Sequence, residues 1–584
     1  MSGKNKKTVK PRTVSRILKY VKPYLFWLIL ALVFAVIQIA ATLFAPIVIG
    51  SAIDYIITEK QVYFDEVFIR LLQLGGLVAV AALFQWLVSL CTNKVSYRTI
   101  RDIRRDAFDK LNRVPLKVID GSSRGDLMTR VGADTEQISD GLIQGFTQLF
   151  TGIVTVVGTL GFMLAVNVLV TLVVVVVTPL SIVVAYFIAK GCHDKFKSQS
   201  DRRGELGGLC EEMLHDFKTV KAFSYEDAAQ KRFGVINKKL QKVGIKAQFY
   251  SAMVNPCTRF VNGIVYAAVA IMGAFLCIDG KLSVGFLSTF LTYANQYTKP
   301  FNEITGVITE LQTATAAAAR VFRLLDEDEE TDDENGKEFT ANGDISIKNV
   351  DFSYSEKPLI QNFNLEVKHG QRVAVVGPTG CGKTTLINLL MRFYDVKGGE
   401  ILVDGVNVKD MTRKGLRQNF GMVLQDSWLF HGTIRENIAY GKDNATDEEI
   451  VAAAKKAHIH NFIMRLKDGY DTVISDKDDG ISQGQRQLLC IARIMLMNPP
   501  MLILDEATSN IDTRTEIRIQ KAFAEIMQGR TSFIVAHRLS TIKEADVILV
   551  MKDGNVIEKG NHESLMALGG FYKTLFEAGY GDAQ

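Results

Sequence analysis

Three loops and one turn carry side chains whose types and spacing would act on a phosphate. Gly377-Pro378-Thr379-Gly380-Cys381-Gly382-Lys383-Thr384 follows the strand-like run RVAVV and leads into the helical run TTLINLLMRF. Glycines at this spacing let successive backbone N–H groups wrap an anion, and a helix that starts there adds positive potential. Lys383 would reach the β- and γ-phosphates of a nucleotide, the Thr384 hydroxyl would ligate Mg²⁺, and Thr385 closes the phosphate-binding turn. In MLILDE, apolar residues bury a strand and Asp505 emerges at its C-terminal end to hold the Mg²⁺ shell. Glu506, one residue on, is placed to polarise a water for attack on the γ-phosphate. A carboxylate pair can also be a solvated helix start; joined to a phosphate loop, it reads as catalytic. His537, in FIVAHRLS, ends another buried strand, at the end where ligands bind in such sheets. The turn Ser482-Gln483-Gly484-Gln485 is suited to holding an anion at a helix N-terminus, although the phosphate loop already serves that purpose. A capped helix start is the simpler reading, but it does not explain Gly484 followed by a second polar residue.

These residues need elements to position them. Strand-like runs DISIKNVDF, RVAVVG, GMVLQ, MLILDE, TSFIVA and DVILVM alternate with helical stretches, the pattern of an α/β nucleotide-binding domain. A chain of 584 residues exceeds one core, so a second domain is expected. It lies before the α/β part and has a different solvent. No charged residue occurs from Gly141 to Ala189, and a membrane span needs about 20 apolar residues, so this run holds two. Asn167 near its middle fits a very tight hairpin. Further spans are expected at roughly 24–46, 69–91, 260–278 and 282–298, six in all. The expected division is a membrane domain over 1–325, an acidic linker over 326–340 and the α/β domain over 341–584.

Charge sets the sidedness. The N-terminal arm MSGKNKKTVKPRTVSRILKYVK is basic without an acid, and NKVSYRTIRDIRRDAFDKLNR after the second span is rich in Arg and Lys. The loop DYIITEKQVYFDE has no such excess. The positive-inside rule then puts both termini and the α/β domain in the cytoplasm of a multi-pass cell-membrane protein. The arm lacks the short apolar core and small-residue cleavage site of a signal peptide. A net charge of +5 is small for this length and gives no argument for nucleic acid. Cys91, Cys192, Cys210, Cys257, Cys277, Cys381 and Cys490 are scattered without a CxxC pair, which reads as free thiols.

As an ordered set, these residues resemble an ATP-binding-cassette exporter of half size: a six-helix membrane domain fused to one nucleotide-binding domain, of the type IV, multidrug-exporter-like kind. The resemblance covers nearly all of the chain. It implies ATP and Mg²⁺ as cofactors and assigns roles by position. Tyr354 in VDFSYSE matches the aromatic that stacks on adenine. Gln425 in GMVLQDSWLF matches the glutamine that contacts Mg²⁺ and the attacking water. Asp505 and Glu506 match the Walker B pair, His537 the switch histidine, and Asp512 in SNID the loop joining two sites. ISQGQRQ matches the signature motif, so the resemblance implies that Ser482, Gly484 and Gln485 face ATP on a second half-transporter. Gln483 and Ile481 depart from the usual LSGGQ, and SDKDDG stands where GERG-like sequence is common. The altered signature and SNID resemble the catalysis-competent half of bacterial heterodimeric exporters, so a heterodimer is favoured over a homodimer.

The membrane half says less. GDLMTRVGADTEQI (125–138) and LHDFKTVKAFSYED (214–227) resemble the segments that flank the family's coupling helices. Ser288, Thr292, Asn295 and Lys299 recur at helical spacing in the sixth span, and such a stripe either lines an aqueous cavity or bonds neighbouring helices. With no charged cluster deep in a span, the expected cargo is a small hydrophobic or amphipathic compound. Lipid or peptide export, or an ATP-gated channel, are the alternatives; an intact Glu506 and His537 argue for turnover over gating.

Overall fold

The computed structural model describes residues 11–57, 62–330, 336–424, 427–474, 480–505, 511–535 and 542–580. The chain divides into two compact units, Met1–Asn112 with Ser122–Glu327, and Arg113–Gly121 with Asp328–Gln584. The short segment Arg113–Gly121, encoded within the membrane half, thus groups with the C-terminal unit. The boundary between the units falls at Glu327, near the start of the acidic stretch.

The first unit is helical. After α1 (Pro11–Val21) come α2 (Leu25–Ile57) and α3 (Phe64–Leu111). A short α4 (Leu116–Asp120) belongs to the other unit, and α5 (Arg124–Val131) leads into α6 (Ala133–Val166). Then follow α7 (Val168–His215), the short α8 (Phe217–Ala222), α9 (Glu226–Ile278) and α10 (Val284–Leu325). The long apolar run breaks at Asn167, the residue its composition singled out. Asn167 alone joins α6 to α7, and its Oδ1 accepts from the N–H groups of Leu169 and Val170 at 3.0 and 3.2 Å, satisfying donors that open α7.

Pro46 lies inside α2, where a proline removes a helix hydrogen bond. Hydroxyls from α10 engage carbonyls around it: Thr289 donates to Pro46 O at 2.8 Å and Tyr293 to Leu43 O at 2.5 Å. The two helices are also tied at their ends, where Ser283 Oγ and Gly285 N donate to Asp54 at 2.6 and 2.8 Å. Among the described residues, Thr13–Ile57, Phe64–Leu111, Gly125–Val166 and Arg259–Ile278 are long and apolar enough to cross a membrane. The other two expected spans fall on α7 and α10, where the side chains of 177–194 and 301–305 lie outside the described residues.

The second unit is α/β. A six-stranded sheet has the order β12-β11-β3-β10-β9-β6, built from β3 (Arg372–Val376), β6 (Phe420–Val423), β9 (Met501–Asp505), β10 (Thr531–Val535), β11 (Val547–Lys552) and β12 (Asn555–Gly560). Its neighbours pair in parallel except β12, which is antiparallel at the edge. The central strands are buried on both faces, as the unbroken apolar runs RVAVV, MLILD and TSFIV require. A second, antiparallel sheet of order β2-β1-β4-β5 joins β1 (Ile345–Phe352), β2 (Ile360–Val367), β4 (Gly398–Val403) and β5 (Val406–Asn407). The pair β7 (Gly432–Thr433) and β8 (Val473–Ile474) completes the set. Two apolar cores fill the unit, one with Leu386, Leu390, Ile503 and Phe533, the other with Ile491, Leu504 and Ile534. Because Ile503 and Leu504 face opposite cores, β9 is clamped from both sides, which fixes the height at which Asp505 leaves the sheet.

Candidate active site

The phosphate loop is set by β3 and α11 (Lys383–Leu390). From Val376 the chain turns through Gly377 at φ 153° and reaches the left-handed Gly382 at φ 104°, which caps α11. A Cβ on Gly377 would lie 2.2 Å from Met551 O and 2.7 Å from Cys381 Sγ, so only glycine fits there. Pro378 O accepts from Cys381 N at 3.3 Å, Gly554 N donates to Cys381 O at 3.1 Å, and Cys381 is buried. Thr379 and Gly380 form the exposed crest of the loop. Lys383 Nζ donates to Gly377 O at 2.7 Å and Pro378 O at 3.1 Å, which folds the ammonium back over the loop it must serve. Thr384 is exposed at the second position of α11, whereas Thr385 is buried.

Register ties this loop to Asp505. Val535 on β10 pairs with Val375 on β3 and with Asp505 on β9, so the three lie in one row across the sheet. Two strand spacings put Asp505 roughly 10 Å along that row from Val375. The phosphate loop and Asp505 therefore leave the same edge of one parallel sheet, the edge at which such sheets bind ligands. Gln425, Glu506 and His537 lie outside the described residues. The strands that precede them, β6, β9 and β10, are parallel neighbours ending at this edge.

Tyr354 is half-exposed and stands edge-on to Phe352 and Tyr394, with ring centroids 4.9 Å away in both cases. Asn388 Nδ2 donates to its hydroxyl at 3.1 Å, which fixes the ring beside α11. Tyr394 in turn donates to Asp120 Oδ2 of α4 at 2.5 Å. Burial, with the Asp120 carboxylate beside it, pushes the Tyr394 phenol up from its ordinary pKa. Sequence reasoning missed this Tyr354–Tyr394–Asp120 series. Its one local signal was Pro115 and Gly121 bracketing a short helix.

Ser482 caps the helix Gln483–Met497 in a reciprocal box: its Oγ accepts from Gln485 N at 3.3 Å, and Gln485 Oε1 accepts from Ser482 N at 2.9 Å. Asp512 caps the helix Thr513–Met527, accepting from Thr515 N at 2.9 Å, and the hydrogen bonds from Thr515 hold its carboxyl below the usual range. Gly484 brings these two helix starts together, since a Cβ there would lie 2.4 Å from Thr515 Cγ2 and 2.9 Å from Ile511 Cγ2. The signature turn and the loop of Asp512 thus press on one another, a contact the sequence did not reveal.

Comparison with known proteins decides the family. The ABC transporter transmembrane region matches residues 28–301, and the ABC transporter family matches residues 360–509. An uncharacterized ABC transporter ATP-binding protein of Bacillus subtilis (strain 168) is 40% identical over 97% of this chain and 94% of its own length. The chain belongs to the ABC transporters. It is an ABC exporter half-transporter, a membrane-spanning protein whose nucleotide-binding domain is an ATPase coupled to transport. Other ABC relatives carry more specific names. A putative multidrug export ATP-binding/permease protein of Staphylococcus aureus (strain NCTC 8325 / PS 47) is 35% identical over 96% of this chain and 99% of its own. A fatty acid ABC transporter ATP-binding/permease protein of Mycobacterium bovis (strain ATCC BAA-935 / AF2122/97) is 41% identical over 86% of this chain and 80% of its own. Among solved structures, a bacterial Atm1-family ABC exporter with ATP bound superposes with a TM-score of 0.78 at 28% identity, covering 97% of this chain and 99% of that one. A half-transporter needs a second half, so this ABC exporter works as a dimer in a membrane.

Proposed function

We propose that this chain exports small hydrophobic or amphipathic compounds across the cell membrane, with its nucleotide-binding domain and both termini in the cytoplasm, and that its partner is a different half-transporter. What carries the reading is the fusion, in one chain, of apolar spans to a phosphate loop between β3 and α11. The relatives named for multidrug export and for fatty acid transport support an amphipathic cargo.

In the proposed cycle, the N–H groups of Gly377 to Thr384 and the start of α11 bind the phosphates of ATP, and Lys383 leaves its loop carbonyls for the β- and γ-phosphates. Tyr354 offers its open ring face to the adenine. Glu506 orients and deprotonates the attacking water, and Gln425 and His537 assist in the roles their motifs imply. Thr384 and Asp505 are the hard oxygen donors that suit Mg²⁺. An Mg²⁺ ion takes one or two protein oxygens together with the phosphates of a nucleotide, and these two side chains would supply them. Bound there, Mg²⁺ would neutralise charge on the β- and γ-phosphates. Ser482, Gly484 and Gln485 serve the ATP of the partner. The test is vesicle reconstitution with the partner subunit and a panel of amphipaths: ATP-dependent uptake supports the reading, and ATP turnover that no cargo stimulates contradicts it.

A further inference from the structure

The first unit contains a cavity of about 2100 Å³ bounded by α1, the start of α2, the C-terminal part of α3, α5 and the last turns of α10. Its lining is mixed. Leu25 and Leu28 at the start of α2 and Phe146 of α6 contribute apolar side chains, and Arg16, Lys19, Lys22, Arg105, Arg130 and Arg323 contribute cations beside four aspartates. Lys94 Nζ sits 3.8 Å from the Trp27 ring centroid on the adjoining part of α2 and α3. Such an aromatic–cation pair marks the level of lipid headgroups. The cavity thus sets charged and apolar lining next to an aromatic–cation pair of the kind found at membrane interfaces.

Its electrostatics favour an anion. The carboxylates in the lining are already engaged: Asp326 with Arg16 at 2.5 Å, Asp126 with Arg130 at 2.6 Å, Asp106 with Tyr20 at 2.9 Å and Asp102 with Tyr24 at 2.5 Å. Among the described residues, no ion pair engages Lys19, Lys22 or Arg323, which also line it. Arg130 adds a buried Nε without an acceptor, although its Nη2 is paired. A buried N–H left unmet is costly, and an acid oxygen entering the cavity would answer it. A solvated basic face would explain exposed lysines alone. It does not explain a concavity that also takes in the buried Nε of Arg130 and the apolar side chains of Leu25, Leu28 and Phe146.

We propose that this cavity receives the anionic headgroup, carboxylate or phosphate, of a cargo amphiphile drawn from the adjoining membrane leaflet, with the acyl chain toward Leu25, Leu28 and Phe146. This inference rests on the export reading above and narrows its substrate class. The test uses the full transporter with its partner subunit in phosphatidylcholine vesicles. Stimulation of ATP turnover is titrated with oleic acid and with oleyl alcohol, for wild type and for the triple variant Lys19→Gln, Lys22→Gln, Arg323→Gln. The triple variant should raise the half-maximal concentration of oleic acid about tenfold or more, as expected when three charges near a membrane surface cease to attract an anion. Oleyl alcohol should respond alike in both proteins, and Lys19→Arg, Lys22→Arg, Arg323→Lys should restore the wild-type titration. An equal shift for acid and alcohol, or no shift, overturns the headgroup site while leaving export intact. A charge effect seen with phosphatidylglycerol in the vesicles and absent with oleic acid overturns the cargo assignment in favour of a resident lipid. If neither amphiphile stimulates turnover while another member of the amphipath panel does, the headgroup site is overturned and export stands.

Discussion

At the scale of single residues, the phosphate loop and the signature turn make opposite demands. Lys383 is held by two carbonyls of its own loop, so its charge is pre-positioned. Lys383→Ala should abolish ATP hydrolysis and energised transport while leaving the fold intact, as read by phosphate release beside a thermal melt. Gly484 is constrained by packing. Gly484→Ala drives a methyl against Thr515 and Ile511, an overpacking cost of about 1–3 kcal/mol. A lowered melting temperature of the purified protein would show it, and a wild-type melt would mean that the helix of Thr513–Met527 gives way freely. The sequence made the chemistry of Lys383 legible because the motif is contiguous. The reason for Gly484 was hidden because its neighbours, Ile511 and Thr515, come from a segment about 30 residues on that nothing local connects to it.

Among elements, the clearest case is the tie between α6 and α10. Arg320 grips Asp134 with two bonds, Nε to Oδ2 at 2.8 Å and Nη2 to Oδ1 at 2.5 Å, and the Asp134 side chain is only 4% exposed. Arg320→Ala strands that carboxylate and should cost about 3–5 kcal/mol. Adding Asp134→Asn should recover much of the loss in a melt of the detergent-purified protein; a deeper loss in the double variant would contradict the account. A second element-level prediction concerns α4. Tyr394→Phe and Asp120→Ala each remove the same hydrogen bond, so each should weaken cargo stimulation of ATP turnover about two- to tenfold, the effect of roughly 0.5–1.5 kcal/mol. Basal turnover should stay near wild type, and the double variant should be no worse than either single one. Helix ends at Asn167 and strands such as MLILD were readable from composition because local periodicity determines them. The Tyr394–Asp120 bond spans 274 positions, and no pattern in one sequence reports a pairing at that distance. The antiparallel sheet of β1, β2, β4 and β5 escaped for a related reason: its strands alternate in burial like any half-exposed strand, and only tertiary pairing tells them from the parallel set.

The whole molecule requires a second chain, and the two ATP sites need not be equal. On the proposed reading, with a dissimilar partner, Glu506 of this chain would work opposite the partner's signature, while Ser482 would face the partner's site. Glu506→Gln should then stop nearly all hydrolysis and leave ATP trapped, whereas Ser482→Ala should cost much less. ATP turnover and nucleotide retention on the reconstituted dimer check this. Cargo-stimulated turnover by this chain purified alone, with equal damage from both substitutions, would instead mean a homodimer with two identical sites.

Arg113–Gly121 is encoded in the membrane half yet belongs to the C-terminal body. That has a consequence for modularity. The gene looks divisible near residue 328, but the folded bodies do not divide there, so a C-terminal fragment cut at that point would lack one strip of its own surface and leave the hydroxyl of Tyr394 without its acceptor. A chimaera that grafts a foreign ATPase onto these spans would need the donor's own version of this nine-residue strip as well. Inheritance of the two halves is therefore linked through a piece of one that is stored inside the other.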